Sequence, residues 1–268
     1  MGSTKIEYLD ATWNFLTGCN NWKDPAICGG GGSEFKCWAK TMAERFGRDF
    51  EPHYNRDAFV AKLPTDSPRI GVCFTGDLFQ DSVDPDMGIG VHAIDKSRAT
   101  LRDIAFGRIN NHPQHQFFFL TKCPWNLRKW GKFPDNAWVG VSVTDEVKLT
   151  KAFVPLKDAR AAHRWLSIEP LLSWNMSIAD TAWTFGEMCI DWVVIGGLSN
   201  KPATQQPKLE WVKEIVAAAD IAGIPVFLKN NLRSTVGADR WQGFHTQGLD
   251  GWNMRQEHPV EISKQEAA

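Results

Sequence analysis

Short apolar runs alternate along this chain with longer stretches of helical period. The strand-like runs are "TWNFLT" (12–17), "RIGVCFT" (69–75), "QFFFLT" (116–121), "AWVGVSV" (137–143), "RWLSI" (164–168), "DWVVIG" (191–196) and "IPVFL" (224–228). Most are nearly continuous in apolar residues, the pattern of parallel strands covered on both faces. Between them, "CWAKTMAERFG" places apolar residues at 38, 39, 42, 43 and 46 and stops at Gly47, a predicted C-cap. Residues 145–162 predict a second helix that Pro155 should kink or split. Residues 208–223 predict a third, closed by Gly223. Six to seven βα units of this kind predict an α/β fold, a parallel (β/α) barrel, full or partial, with right-handed crossovers. A doubly wound open sheet is the alternative. Residues 1–230 are expected to form the barrel, with irregular insertions at 20–36, 48–68 and 171–190. Residues 231–268 are expected to be a C-terminal extension packed on or beside it.

Each strand gives way to polar, small or ionisable residues. In order the exits read Thr17-Gly18-Cys19, Thr75-Gly76-Asp77, Thr121-Lys122, Ser142-Val143-Thr144, Ser167-Ile168-Glu169, Gly196-Gly197 and Lys229-Asn230. In parallel barrels the carboxyl ends of the strands carry the active site, so the set predicts a site there. The plainer alternative is that every strand must leave the core through polar residues.

Composition narrows the partners. The 268 residues are 43% hydrophobic and 23% charged, ordinary for a globular chain, so neither a disordered nor a fibrous class is indicated. A net charge of −1 gives no global field to draw the molecule onto nucleic acid, so any such binding needs a local patch. "MGSTKIEYLD" lacks the apolar core of a signal peptide and no run is long enough to span a membrane. A cytoplasmic chain without membrane contact is therefore expected, and in that reducing setting six cysteines suggest metal binding or catalysis rather than disulfides. Cys73 and Cys189 read as small buried hydrophobes, and Cys123, after a strand end, is ambiguous. Cys19, Cys28 and Cys37 are evenly spaced, C-x8-C-x8-C, at the first strand exit. Three thiolates leave a ligand set one short: His53 would complete a Cys3His zinc site, whereas a [4Fe–4S] cluster held by three cysteines keeps one iron open. The glycines at 18 and 29–32 suit a loop able to wrap a cluster.

The order strand, cysteine loop, aromatic after the third cysteine, helix resembles the opening of the radical S-adenosylmethionine (SAM) superfamily. The chain is similar, more narrowly, to a phage and bacterial family of radical-SAM-like proteins whose function is poorly defined. The residues that carry the resemblance are "TWNFLTGC" (12–19), "IC" (27–28), "CWA" (37–39), "TGDLF" (75–79), "LTK" (120–122), "GVSVT" (140–144), "SIEPLL" (167–172), "WVVIGGLSN" (192–200) and "VFLKN" (226–230). They keep the family's order from about residue 6 to 230. Two departures stand out: "GGGGSEFK" separates the second and third cysteines, where the family has two residues, and Leu198 replaces a glutamate.

The resemblance implies that Cys19, Cys28 and Cys37 hold a [4Fe–4S] cluster whose open iron binds SAM. A flavodoxin- or ferredoxin-like donor would supply the electron that splits SAM into methionine and a 5′-deoxyadenosyl radical, which takes hydrogen from the substrate. It also implies that Trp38, Gly76, Asp77, Ser142, Thr144, Gly196 and Gly197 contact SAM, with Asp77 meeting its amino group. Asp77 as a simple cap and the glycines as a simple turn are the alternatives. Lys122, Glu169 and Lys229 are the candidates for substrate chemistry, or else a mutual ion-pair network. A cofactorless barrel enzyme using Asp77, Glu169 and the lysines is a further alternative. "TKCPWNLRKWGK" (121–132) mixes Lys122, Arg128, Lys129 and Lys132 with Trp125 and Trp130, a composition suited to stacked bases and phosphates, or to a solvated helix face. With the family's phage setting, this makes a DNA base or nucleotide the expected substrate, for example in an isomerase step of thymidine hypermodification.

Overall fold

The structure, a computed structural model, describes residues 4–28, 37–91, 98–199, 203–236, 242–248 and 251–259. The Gly29–Gly32 insertion lies outside the described residues. Seven strands form one sheet: β1 (Ala11–Trp13), β2 (Arg69–Val72), β3 (Gln116–Thr121), β4 (Ala137–Val143), β5 (His163–Ile168), β6 (Trp192–Ile195) and β7 (Val226–Leu228). Their order in the sheet is their order in the chain. The ladders β1–β2, β2–β3, β5–β6 and β6–β7 are parallel. A sequential parallel order is compatible with a partial (β/α) barrel. It does not match the doubly wound alternative, whose strand order reverses at a switch point.

The principal helices are α1 (Trp38–Arg45), α2 (Leu101–Asn110), α3 (Glu146–Lys157), α4 (Ile178–Glu187) and α5 (Leu209–Ala222). Helix α2 starts at a capping box in which Thr100 and Asp103 satisfy each other's backbone amides. Helix α5 buries Val212, Ile215, Val216 and Ala219 along one stripe and ends at Gly223, which takes the left-handed conformation at φ 69°. Pro155 does not split α3. It falls in the last turn, and the carbonyl it leaves without a donor belongs to exposed Lys151, where water can serve. Residues 171–190, expected to be irregular, contain α4, whose N-cap Ser177 accepts a hydrogen bond from the Asp180 amide.

Contacts group the described residues into two units, one of those up to 139 together with 159–162, the other of 140–158 and those from 163 on. The first is built on an aromatic cluster of Phe79, Phe106, Phe119, Trp130 and Phe133, with ring centroids 5.2 to 6.3 Å apart. Each such ring contributes about 1.5–3 kcal/mol by leaving water. In the second, Trp165 and Trp192 pack at 5.4 Å, and helices α4 and α5 pack against each other. The tail of this unit returns to the sheet. Gln256 pairs antiparallel with Phe227, the Leu228 amide donates to Arg255, and the Glu257 amide donates to Val226. Most of the described tryptophans are therefore core: Trp13, Trp130, Trp138, Trp165, Trp174 and Trp192 are buried, and Trp38, Trp125 and Trp183 are exposed. No helix among the described residues is long and apolar enough to cross a membrane.

Candidate functional site

In the first unit the exits of β1 and β2 touch through their backbones. Gly18 and Gly76 form an isolated parallel bridge, and the Gly18 amide donates to the Thr75 carbonyl. Gly18 has φ 81°, and a Cβ there would sit 2.3 Å from the Glu51 carbonyl oxygen. A Cβ on Gly76 would sit 2.5 Å from the Gly18 oxygen. Only glycine permits this approach, and it brings the cysteine loop against the segment carrying Asp77.

Asp77 is buried and surrounded by donors. Its carboxylate accepts from the Asn21 amide side chain at 2.9 Å, the Thr121 hydroxyl at 2.8 and 3.0 Å, and the backbone amides of Phe79 and Lys122, each at 2.9 Å. Burial pushes its pKa up, against the pull of these donors and the Lys122 charge. Both oxygens are thus committed to the chain, tying the first, second and third strand exits together. Gln80 adds to the grip, accepting from the Asn20 amide at 2.8 Å and donating to the Gly18 carbonyl.

Asn21 joins three of these groups. Its backbone amide donates to the Cys19 sulfur at 3.3 Å, its side-chain amide donates to Asp77, and its side-chain oxygen accepts from the Cys123 thiol at 3.4 Å. Cys123, ambiguous in the sequence, is fully buried at the third exit and within electrostatic reach of Cys19. Burial pushes the Cys19 thiol up to about 12 and also raises Cys123. Cys37, the N-cap of α1, behaves oppositely and falls to about 6. The Cys28 thiol hydrogen bond is the main cause, burial opposes it, and the amides of Lys40 and Ala39 and the Lys122 charge help. Cys28 also acts on Cys19 electrostatically, so Cys28 lies within reach of both other thiols, and the half-buried Lys122 acts on Cys19 and Cys37. The three thiols do not, as they stand, form a closed metal cage: no group of three or more His, Cys, Asp or Glu among the described residues has that geometry. Two polar atoms beside them are buried without a partner, the Asn20 side-chain oxygen and the Thr75 hydroxyl. A thiol within reach of two others, a nearby cation and unsatisfied polar atoms fit an anionic iron–sulfur group with a polar ligand. The zinc alternative fares less well. Both ring nitrogens of His53 are engaged, Nε2 with the Thr17 hydroxyl at 2.8 Å and Nδ1 with the Glu51 carbonyl at 2.9 Å.

The low pKa has a direct chemical consequence. Cys189, read from the sequence as buried, is exposed, so in metal-free protein carrying Cys189→Ser iodoacetamide is expected to modify Cys37 at a rate that rises through about pH 6 and levels off above it, because the thiolate is the nucleophile. Cys19 and Cys73, both pushed up to about 12 by burial, should stay unmodified at pH 8. Peptide mapping against pH checks this.

Trp38, the first residue of α1, is 57% exposed. Within "TKCPWNLRKWGK", residues Pro124–Trp130 form a 3-10 helix that buries Trp130 and leaves Trp125, Arg128 and Lys129 exposed. The Trp125 indole N–H donates to Asp81 at 2.9 Å, which fixes the ring at the surface. Lys132 pairs with Asp135.

The second unit carries the other predicted residues. Lys229 donates to Glu169, whose bond to Pro170 is cis, and the pair is mostly buried. The Ser142 hydroxyl donates to the Glu169 carbonyl at 3.4 Å, and the Thr144 hydroxyl donates to Asp145, the N-cap of α3. Gly196 leaves room for the Glu169 side chain, and the space beside Gly197 is taken by Gln206. Asn231 holds Gly197 by both its amide and its carbonyl. Asn21, Gln80 and Asn231 were not singled out in the sequence, and Thr121 only as a strand exit. The visible signal was weak: polar residues within three positions of an already suspected one.

Residues 3–251 match a family model whose description is a protein of unknown function, DUF5131. No curated protein and no solved structure matches the chain.

Proposed function

The chain belongs to the DUF5131 family, which assigns it no activity, and we propose from its own residues that it is a radical SAM enzyme acting on a nucleobase or nucleotide. The observation that carries this reading is that Cys28 interacts with both Cys19 and Cys37, with Cys19 at the first strand exit tied to Asp77 through Asn21. These cysteines would hold a [4Fe–4S] cluster. Reduced by a flavodoxin- or ferredoxin-type donor, such a cluster supplies the electron that cleaves SAM to methionine and a 5′-deoxyadenosyl radical. Cys37 already favours the thiolate needed for ligation. The Lys122 ammonium offsets negative charge at the thiolates. The orphaned Asn20 oxygen and Thr75 hydroxyl offer hydrogen bonds to the polar end of SAM. Asp77 acts as a positioning residue, because its oxygens are filled by the chain. In the second unit, Glu169 and Lys229 are the acid–base candidates, since a hydrogen bond already joins the two groups. Trp125, anchored by Asp81 and flanked by exposed Arg128 and Lys129, supports a stacked base as substrate.

Anaerobic reconstitution with iron and sulfide is the test. Wild type is expected to bind about four irons per chain, to show a reducible cluster by electron paramagnetic resonance, and to release 5′-deoxyadenosine from SAM. The Cys19, Cys28 and Cys37 triple alanine variant should do none of these. Equal SAM cleavage by wild type and variant, or stoichiometric zinc without iron after anaerobic purification, would sink the proposal.

A further inference from the structure

The first unit has a second polar site at the other end of its strands. A cavity of about 460 Å³ is lined by Lys62, Thr65, Arg108, His112, Gln114 and His115, with Val60 and Leu63 as its apolar part. His115 directly precedes β3, whereas Lys122 directly follows it. Six residues of strand separate the two by about 20 Å, so the cavity is distinct from the cysteine site.

The lining contains four basic side chains and no carboxylate. Arg108 is the sharpest case. Its guanidinium donates to the carbonyls of Phe59 and Ala61 and lies 5.1 Å from the Trp13 ring centroid, yet its Nε is buried without a partner. Its pKa is lowered, with burial as the cause, and no ion pair joins it to an acidic group among the described residues. A partly buried cation without a counter-charge is costly, and an anion in the cavity would relieve it.

The two histidines are held ready. His112 Nδ1 lies 2.7 Å from the Arg108 carbonyl and His115 Nδ1 lies 3.0 Å from the Ser67 carbonyl, so each Nδ1 carries the proton. The Asn136 side-chain amide donates to the carbonyls of Ile109, His112 and His115, which fixes the turn between the rings. The rings stack at 6.1 Å, and among the described residues hydrogen bonds occupy only the Nδ1 of each. A metal cation is disfavoured by Lys62 and Arg108. A tetrahedral oxyanion is favoured, and His115 would take up a proton to donate to it. Burial and the neighbouring His112 charge lower the His115 pKa, so without an anion His115 is neutral at pH 7.

We propose that this cavity binds the phosphate group of a phosphorylated small molecule through Lys62, Arg108, His112 and His115. Its volume would accommodate a sugar phosphate or a mononucleotide.

Isothermal titration calorimetry on the full chain tests it, with inorganic phosphate, ribose 5-phosphate and ribose as probes at constant ionic strength in chloride. Phosphate and ribose 5-phosphate are expected to bind and ribose is not. Lys62→Ala combined with His112→Gln should weaken both at least tenfold. Neither side chain is in the core, so the variant should fold, and an unchanged thermal midpoint in chloride confirms that it has. Sulfate, whose charge is constant from pH 8 to 6, should bind more tightly at pH 6. The proposal is overturned if the double variant binds phosphate as tightly as wild type. It is equally overturned if ribose binds as well as its phosphate, or if sulfate affinity does not rise toward pH 6. The cysteine loop takes no part in any of these readouts, so the outcome is independent of iron loading.

Discussion

Asp77→Ala is expected to destabilise the protein by about 3–5 kcal/mol, the scale for removing one partner of a buried charged network. The loss comes from what remains behind. The Asn21 amide, the Thr121 hydroxyl and the backbone amides of Phe79 and Lys122 would all keep their burial and lose their acceptor. Asp77→Asn keeps the volume and one acceptor, and should recover part of the loss. Urea denaturation of the three proteins would measure the series, with iron content after reconstitution as a second readout. Because Asn21 passes the hold on to Cys19, loading should fall even under conditions where the variant remains folded. A Cys28→Ser variant, which spares this network, should lose iron with little loss of stability. If Asp77→Ala falls within about 1 kcal/mol of wild type, the carboxylate does not hold the three exits together.

Gly18→Ala should cost about 2–4 kcal/mol, from forcing an L-residue to φ 81° and driving its Cβ into the carbonyls of Glu51 and Phe50. Those neighbours are backbone atoms and cannot swing aside as a side chain would. Gly47→Ala is the control, since its φ is also positive, at 62°, but nothing lies within 4 Å of a Cβ there. It should cost about 1–2 kcal/mol, the strain alone. Equal thermal and denaturant midpoints for the two variants would mean that the approach of Gly18 to the 50–51 segment is not tight in solution.

The central strands were legible because continuous apolar runs leave little choice. "QFFFLT" and "AWVGVSV" end where β3 and β4 end. The first run was not, and the reason is Asn14. Its side chain bonds Thr12 and accepts from the Thr75 amide. The strand therefore closes at Trp13, and Leu16–Thr17 pairs instead with His53–Tyr54. Helices α2 and α4 escaped because their apolar faces are mixed with Thr, Gly and Asp. Their capping residues, Thr100 with Asp103 and Ser177 with Asp180, were the better signal.

The polar strand exits marked residues that the chain ties together, since Cys19 and Asp77, at the first two, are joined through Asn21. Direction of use was not legible. A sequence shows that Asp77 comes after a strand, but not that Asn21, Thr121 and two backbone amides fill its oxygens, because those partners come from segments 44 to 56 positions away as well as from Phe79. The same limit hid the basic cavity. Lys62, Arg108 and His115 come from three separate stretches, and each alone reads as an ordinary surface or core residue.

The return of the tail to β7 bears on how the protein behaves at high concentration. Val226–Leu228 is an edge of the sheet, and a bare Val-Phe-Leu edge invites a neighbouring molecule to add its own strand. Here Arg255, Gln256 and Glu257 occupy that edge, and the Glu257 carbonyl also accepts from the Trp192 indole at 2.8 Å. These residues lie beyond position 251, where the family match stops. Arg255–Glu257 thus close an edge that would otherwise be open to another strand, and they do so from beyond the span that the family model matches.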